Sequence, residues 1–203
     1  MVMKFLTLRN PRERAVANCD LNPELFRAEG VEIRRADCSH EIPWENNAFD
    51  LVVALEITEH LENVSGLFAE AWRVLKPGGH LLFSTPNILS LKSRIQFLLS
   101  GFFYSFEPFT AAQDDEISQH ITPLPYHLYE FRLRRCGFTV VKVVTDKRQR
   151  SSRFWMILYP LMALYQRLKY AGREECRRQN QRDLLLGRKL VVLAQKVARA
   201  SCP

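Results

Sequence analysis

The stretch RVLKPGGHLLFSTPN, Arg73 to Asn87, compresses a helix end, a tight turn and an apolar strand into fifteen residues. The same alternation governs the chain on either side. Upstream, FDLVVALE is a Val- and Leu-rich run suited to a strand buried on both faces. It leads into Thr58 to Leu75, where Leu61, Val64, Leu67, Phe68, Ala71, Trp72 and Leu75 recur at helical spacing. Earlier still, AVANCD ends in an acid, NPELFRAEG has Pro near a helix start and Gly30 as its stop, and VEIRRAD alternates as a strand does. Downstream, PYHLYEFRLRRCGF reads as a helix closed by Gly137, followed by the strands TVVKVVT and KLVVLAQK. Strands that alternate with helices pair in parallel through helical crossovers. The expected architecture is α/β, a Rossmann-like, doubly wound, mostly parallel sheet of about six strands with helices on both faces. Ligands in such sheets bind where the strands end, and Asp20, Asp37, Glu56 and Thr85 fall there.

A chain of 203 residues with 47% apolar and 25% charged side chains suits one cored domain, neither fibrous nor disordered. Residues 1–203 are therefore read as a single domain, with a core over 15–146, a basic and apolar helical insertion over 147–188, and a last strand over 189–196. Charge follows that division. Residues 1–146 carry 15 Lys and Arg against 19 Asp and Glu, whereas residues 147–203 carry 14 against 3. The five cysteines show neither CxxC nor zinc spacing, which fits reduced thiols in a cytoplasmic protein. The opening MVMKFLTLRNPRER has no secretory pattern, and the longest apolar run, Phe154 to Tyr165, falls short of the ~20 residues that cross a bilayer.

The series CDLNPELF, ADCSHEIPWENNAFDLVVALEITEHLEN and EAWRVLKPGGHLLFSTPN resembles the class I S-adenosylmethionine-dependent methyltransferases, closely from Ala15 to about Phe106 and more weakly from His120 to Lys196. The resemblance implies S-adenosylmethionine as cofactor. It places Asp20 on the ribose hydroxyls, Leu21 against the base, Asp37 beside the adenine amino group with Cys38 nearby, and Glu56 at the pocket wall. A carboxylate suits a ribose diol because its two oxygens accept two hydroxyls at once. The other reading of Asp20 is an Asx turn or helix N-cap. One feature departs from the family. Its first strand ends in a glycine-rich loop at a helix N-terminus, whereas the first glycine here is Gly30, beyond Asp20. The expectation is a sheet incomplete at its N-terminal side, with VMKFLTL a candidate for the central slot and RNPRER too short to return as a parallel strand.

After the fourth strand comes EITEH, with Glu56, Glu59 and His60 spaced to share one helix face. The arrangement is similar to that of metal-assisted O-methyltransferases, with His120 the candidate fourth ligand and a divalent ion such as Mg the cation. The competing readings make His60 a lone general base, assisted by Glu59, or a packing residue at a helix start. Two insertions follow. ILSLKSRIQFLLSGFFYSFEPF, after the fifth strand, suits either a cap over an apolar acceptor or packing on the sheet. The second, between the last two strands, joins an apolar run to Arg and Lys on both sides. Residues 151–170 then read as a peripheral membrane contact, a core helix or a homodimer contact. A nucleic-acid surface ranks below these, since the aromatics cluster in the apolar run. Three functions are in play: methylation of an oxygen on a small or lipid-linked acceptor, an inactive remnant that binds a membrane surface or a protein, and methylation of an RNA ribose hydroxyl, which rests only on the ExxEH likeness and the basic tail.

Overall fold

The computed structural model describes residues 6–10, 15–25, 31–108, 119–171 and 173–197. The strands are β1 (Leu6–Asn10), β2 (Ala15–Asp20), β3 (Glu32–Arg35), β4 (Phe49–Leu55), β5 (Leu75–Pro86), β6 (Phe138–Thr145) and β7 (Lys189–Lys196). They form one sheet in the order β3-β2-β1-β4-β5-β7-β6. Five of the seven strands run in one direction, and only β1 and β7 oppose them.

The sequence offers VMKFLTL for the central slot, and the structure fills that slot with β1, which begins inside that run. Its hydrogen bonds to β2 and β4 are antiparallel on both sides. The connection dictates this direction. Only residues 11–14 separate β1 from β2, enough for a hairpin, whereas a parallel return needs a crossover of about a dozen residues. The sheet therefore keeps a full run of central hydrogen bonds while its middle strand points backwards.

Between β4 and β5 the helical pattern divides into a 3-10 turn, Thr58–His60, and α1 (Val64–Val74). Asn63 caps α1, its side-chain oxygen accepting the Gly66 N–H at 2.9 Å. Helix α2 (Leu91–Ser100) starts from a Ser90 cap just past the end of β5. Helix α3 (Tyr126–Arg135) ends before Gly137, whose φ of 89° supplies the left-handed residue that turns the chain into β6. The segment between β6 and β7 holds α4 (Arg150–Phe154), α5 (Tyr159–Tyr170), α6 (Glu174–Gln179) and α7 (Arg182–Leu186). Of the expected helix NPELFRAEG, the structure describes a 3-10 turn at Pro23–Leu25, and the remainder lies outside the described residues.

Helices α1 and α3 pack together, α1 against β5 and α3 against β6. Phe68, Phe83 and Tyr129, all fully buried, meet at ring separations of 5.3 to 6.5 Å. Tyr129 also carries a polar end: its hydroxyl lies 3.2 Å from Thr58 Oγ1 and 3.4 Å from Thr85 Oγ1. The core is thereby fastened to the 3-10 turn and to the end of β5. Phe83→Ala is expected to cost about 3–5 kcal/mol, because the rigid strand beneath cannot collapse into the space. Urea denaturation of the variant against the parent measures it.

Candidate functional site

The carboxyl ends of β2, β3, β4 and β5 lie along one edge of the sheet, and the chain places polar side chains at each of them. Asp20, the last residue of β2, is buried, and its carbonyl accepts the Ala36 N–H at 3.0 Å, which joins the ends of β2 and β3. Its Oδ1 accepts the Asn22 N–H at 2.7 Å, so the Asx turn expected as one reading is formed. Burial raises the Asp20 pKa above the usual aspartate value, against the opposing pull of the Asn22 N–H. Leu21, next in sequence, is exposed to 37% and presents an apolar surface beside that carboxylate.

Asp37 lies on the turn after β3. Its Oδ1 accepts from the Ser39 N–H and hydroxyl, at 2.9 and 2.7 Å, and its Oδ2 lies 2.9 Å from His40 Nδ1. Partial desolvation would raise its pKa, but the hydrogen bonds from Ser39 and His40 outweigh it and the net direction is down. Burial, helped by the Asp37 charge, pushes the Cys38 thiol up to about 12, and the buried Cys19 thiol is also raised. Neither thiol is a nucleophile at neutral pH.

Glu56 closes β4 with a φ of 55°, a left-handed conformation that a glutamate rarely adopts. The reason is visible in its contacts. Its N–H reaches the Ser84 carbonyl at 3.0 Å, and its carboxylate accepts from the Ser84 hydroxyl at 2.9 Å and pairs with Lys189 Nζ at 2.5 Å. Glu56 is therefore turned toward β5 and β7, and the grouping of Glu56 with Glu59 and His60 on one helix face does not form. That spacing presumed a continuous helix, and the chain makes a 3-10 turn with Leu61 extended after it.

Glu59, His60 and His120 do come together, with one ligand atom of each lying within 4.8 Å of the others. Residues far apart in sequence meet because the Glu59 carbonyl accepts the N–H groups of Ile121 and Thr122, at 2.8 and 3.0 Å. The two imidazole rings stand 4.8 Å apart, edge to face. His60 Nδ1 bonds to the Gln119 carbonyl at 2.9 Å, and His120 Nδ1 bonds to the Ser105 carbonyl. A carbonyl only accepts, so each Nδ1 carries the proton, and in the neutral rings the lone pair sits on Nε2. Such a nitrogen can take a proton or ligate a metal. Sequence reasoning did not find Tyr129 or Lys189 as site supports, and no local signal pairs Lys189 with Glu56.

The central position of this edge differs from that of a fully parallel sheet. Since β1 runs backwards, Leu6 lies level with Cys19 near Asp20, and Asn10 lies at the opposite edge. Among the described residues, no strand-to-helix turn follows a central strand at this place.

Residues 4–83 match the model of a family described as a methyltransferase domain. A sterol 24-C-methyltransferase of Schizosaccharomyces pombe is 47% identical over 45 residues, 22% of this chain and 12% of that protein. A ubiquinone biosynthesis O-methyltransferase of Pseudomonas savastanoi is 36% identical over 56 residues, 28% of this chain and 23% of that protein. The matched stretch thus spans about an eighth to a quarter of these curated relatives. A solved S-adenosylmethionine-dependent methyltransferase from Archaeoglobus fulgidus superposes with a TM-score of 0.54 at 17% identity, covering 91% of this chain and 78% of that one. The fold is shared.

Asp20→Asn keeps the oxygen that accepts the Asn22 N–H and removes a charge that burial disfavours. At pH 7 the variant is expected to melt at the same temperature as the parent or slightly above it. The difference should shrink as the pH falls toward 3.8, the ordinary aspartate value, because the parent's raised folded-state pKa favours folding at low pH and that contribution is lost as Asp20 ionises. Calorimetric melting at a series of pH values checks the sign.

Proposed function

We propose that the chain is a class I S-adenosylmethionine-dependent methyltransferase, as the match of residues 4–83 to a methyltransferase domain supports, and that it methylates an oxygen of a small or lipid-linked acceptor at this strand-end site. One observation carries the reading: a buried Asp20, the Asp37 turn and His60 converge on one edge of the sheet, with the His60 proton held on Nδ1. The donor set fits the cofactor. Asp20 would take the ribose hydroxyls with its carboxylate, Leu21 would lie against the base, and Asp37 and Cys38 would face the adenine edge. Bound S-adenosylmethionine supplies a methyl group already activated on a sulfonium, so alignment accounts for most of the rate. His60 Nε2 is the base that would take the acceptor hydroxyl's proton, and the Gln119 carbonyl steadies the imidazolium that results. The relatives' names, covering carbon and oxygen methylation, leave the choice of oxygen resting on this base.

The test of the cofactor site is calorimetric titration of the chain with S-adenosylmethionine and S-adenosylhomocysteine. Affinities on the order of micromolar are expected, weakened about tenfold or more in Asp20→Ala, which loses charge-assisted hydrogen bonds. A folded protein that binds neither compound would favour the inactive, binding-module reading.

A second reading has its own observation, the convergence of Glu59, His60 and His120. Here these three residues would hold a divalent cation such as Mg or Mn, which would orient the acceptor oxygens and lower the hydroxyl pKa. The two readings separate cleanly. With a metal, Mn2+ binding followed by electron paramagnetic resonance is expected in the parent and lost in His120→Ala. With His60 acting alone, methyl transfer is insensitive to chelators, and its rate rises with pH as the imidazole loses its proton.

A further inference from the structure

Helices on a protein surface ordinarily turn their apolar stripe inward. The segment from α4 through α5 does the reverse. Phe154, Ile157, Leu161, Leu164 and Leu168 recur at steps of three and four residues, and each is 55 to 78% exposed. No residue of α5, or of the 3-10 turn Trp155–Leu158 before it, is buried. A separate insertion reaches the same place: α2 contacts both α4 and this turn, and its last turn exposes Leu98 and Leu99 at 77 and 80%. Two segments far apart in the sequence thus build one outward apolar surface, larger than scattered surface hydrophobics explain. Tyr159, Tyr165 and Tyr170 add partly exposed aromatic rings with polar ends.

The charge around this surface has one sign. Residues 147–173 contain seven Lys and Arg and no Asp or Glu. Arg150, Arg153, Arg167, Lys169 and Arg173 are exposed, and Arg148 pairs with Asp183 at 3.0 Å. A three-and-four stripe also suits a helix seam between two copies, but such a seam needs opposite charges along its flanks. A second copy would bring the same cations and no acids. No described helix is long and apolar enough to cross a membrane.

We propose that the outward face of α2, α4 and α5 is a docking surface for an anionic lipid bilayer, its apolar stripe seated among the acyl chains and its Arg and Lys at the headgroups. The surface lies on the side of the sheet where the strands end. Helix α2 follows the end of β5 and α4 follows the end of β6, at the same edge as Asp20 and Glu56. Docking there would bring a membrane-resident acceptor to the site, but the docking itself does not depend on methyl transfer.

Flotation of the whole chain with vesicles of phosphatidylcholine alone, or of phosphatidylcholine with phosphatidylglycerol, tests the proposal. The expected result is at least about tenfold stronger partitioning onto the anionic vesicles, weakening as salt is raised to about 0.5 M. The triple variant Ile157→Ser, Leu161→Ser, Leu168→Ser should lose binding while keeping its circular dichroism and melting temperature, since all three side chains are exposed. Equal binding to both vesicle types, anionic binding untouched by the triple variant, or absence of binding would overturn it. So would a dimer in light scattering that the triple variant dissolves, or RNA binding without vesicle binding.

Discussion

The strand-end edge depends on a buried carboxylate. Glu56 lies where β4 ends, and through Ser84 and Lys189 it ties together the ends of β4, β5 and β7. A charge taken out of water is costly unless paired and hydrogen-bonded, and here it is both. The left-handed backbone at Glu56 is the local cost, of order 1–3 kcal/mol. It swings the chain off the strand line into the 3-10 turn that carries Glu59 and His60. Tyr129 holds the other side of that turn through Thr58, so the turn is fixed from the polar edge and from the core together.

The reversed β1 shapes the chemistry in a different way. A sheet that lacked its middle strand would leave two rows of backbone donors and acceptors open beside β2 and β4, and β1 satisfies both. Its direction follows from a four-residue connection. At this edge the described polar groups are side chains: Asp20 at the end of β2, Asp37 after β3, and His60 after β4 with His120 beside it.

Much of this was legible in the sequence because it is written in local periodicity. The Val and Leu run of β4, the helical spacing of α1 and the KPGG turn into β5 each reflect burial on a known face. The last strand, Lys189–Lys196, has the boundaries expected of it. The Asx turn at Asp20 was legible for the same reason, since its partner is two residues away. What the sequence did not reveal depends on distant partners. The conformation of Glu56 is decided by Ser84 and Lys189. The grouping of His60 with His120 is decided by two N–H groups that dock on the Glu59 carbonyl. Spacing alone put Glu56 with Glu59 and His60, and the backbone turn at Glu56 separated them.

The protonation of the histidine pair is set by the insertions rather than by the core. The carbonyl that fixes His120 belongs to Ser105, and the one that fixes His60 belongs to Gln119. Ser105 follows Tyr104, whose N–H bonds to Ser93 of α2 at 3.1 Å and whose ring lies 3.5 Å from Lys92 Nζ. Ser152 of α4 in turn accepts the Lys92 N–H at 3.2 Å. A continuous set of contacts therefore runs from α4 and α2 to the His120 ring. A ring nitrogen keeps its lone pair toward the site only while its opposite nitrogen has an acceptor. The segments that face outward as apolar helices thus also support the carbonyl that holds His120 in the form that can accept a proton or a metal.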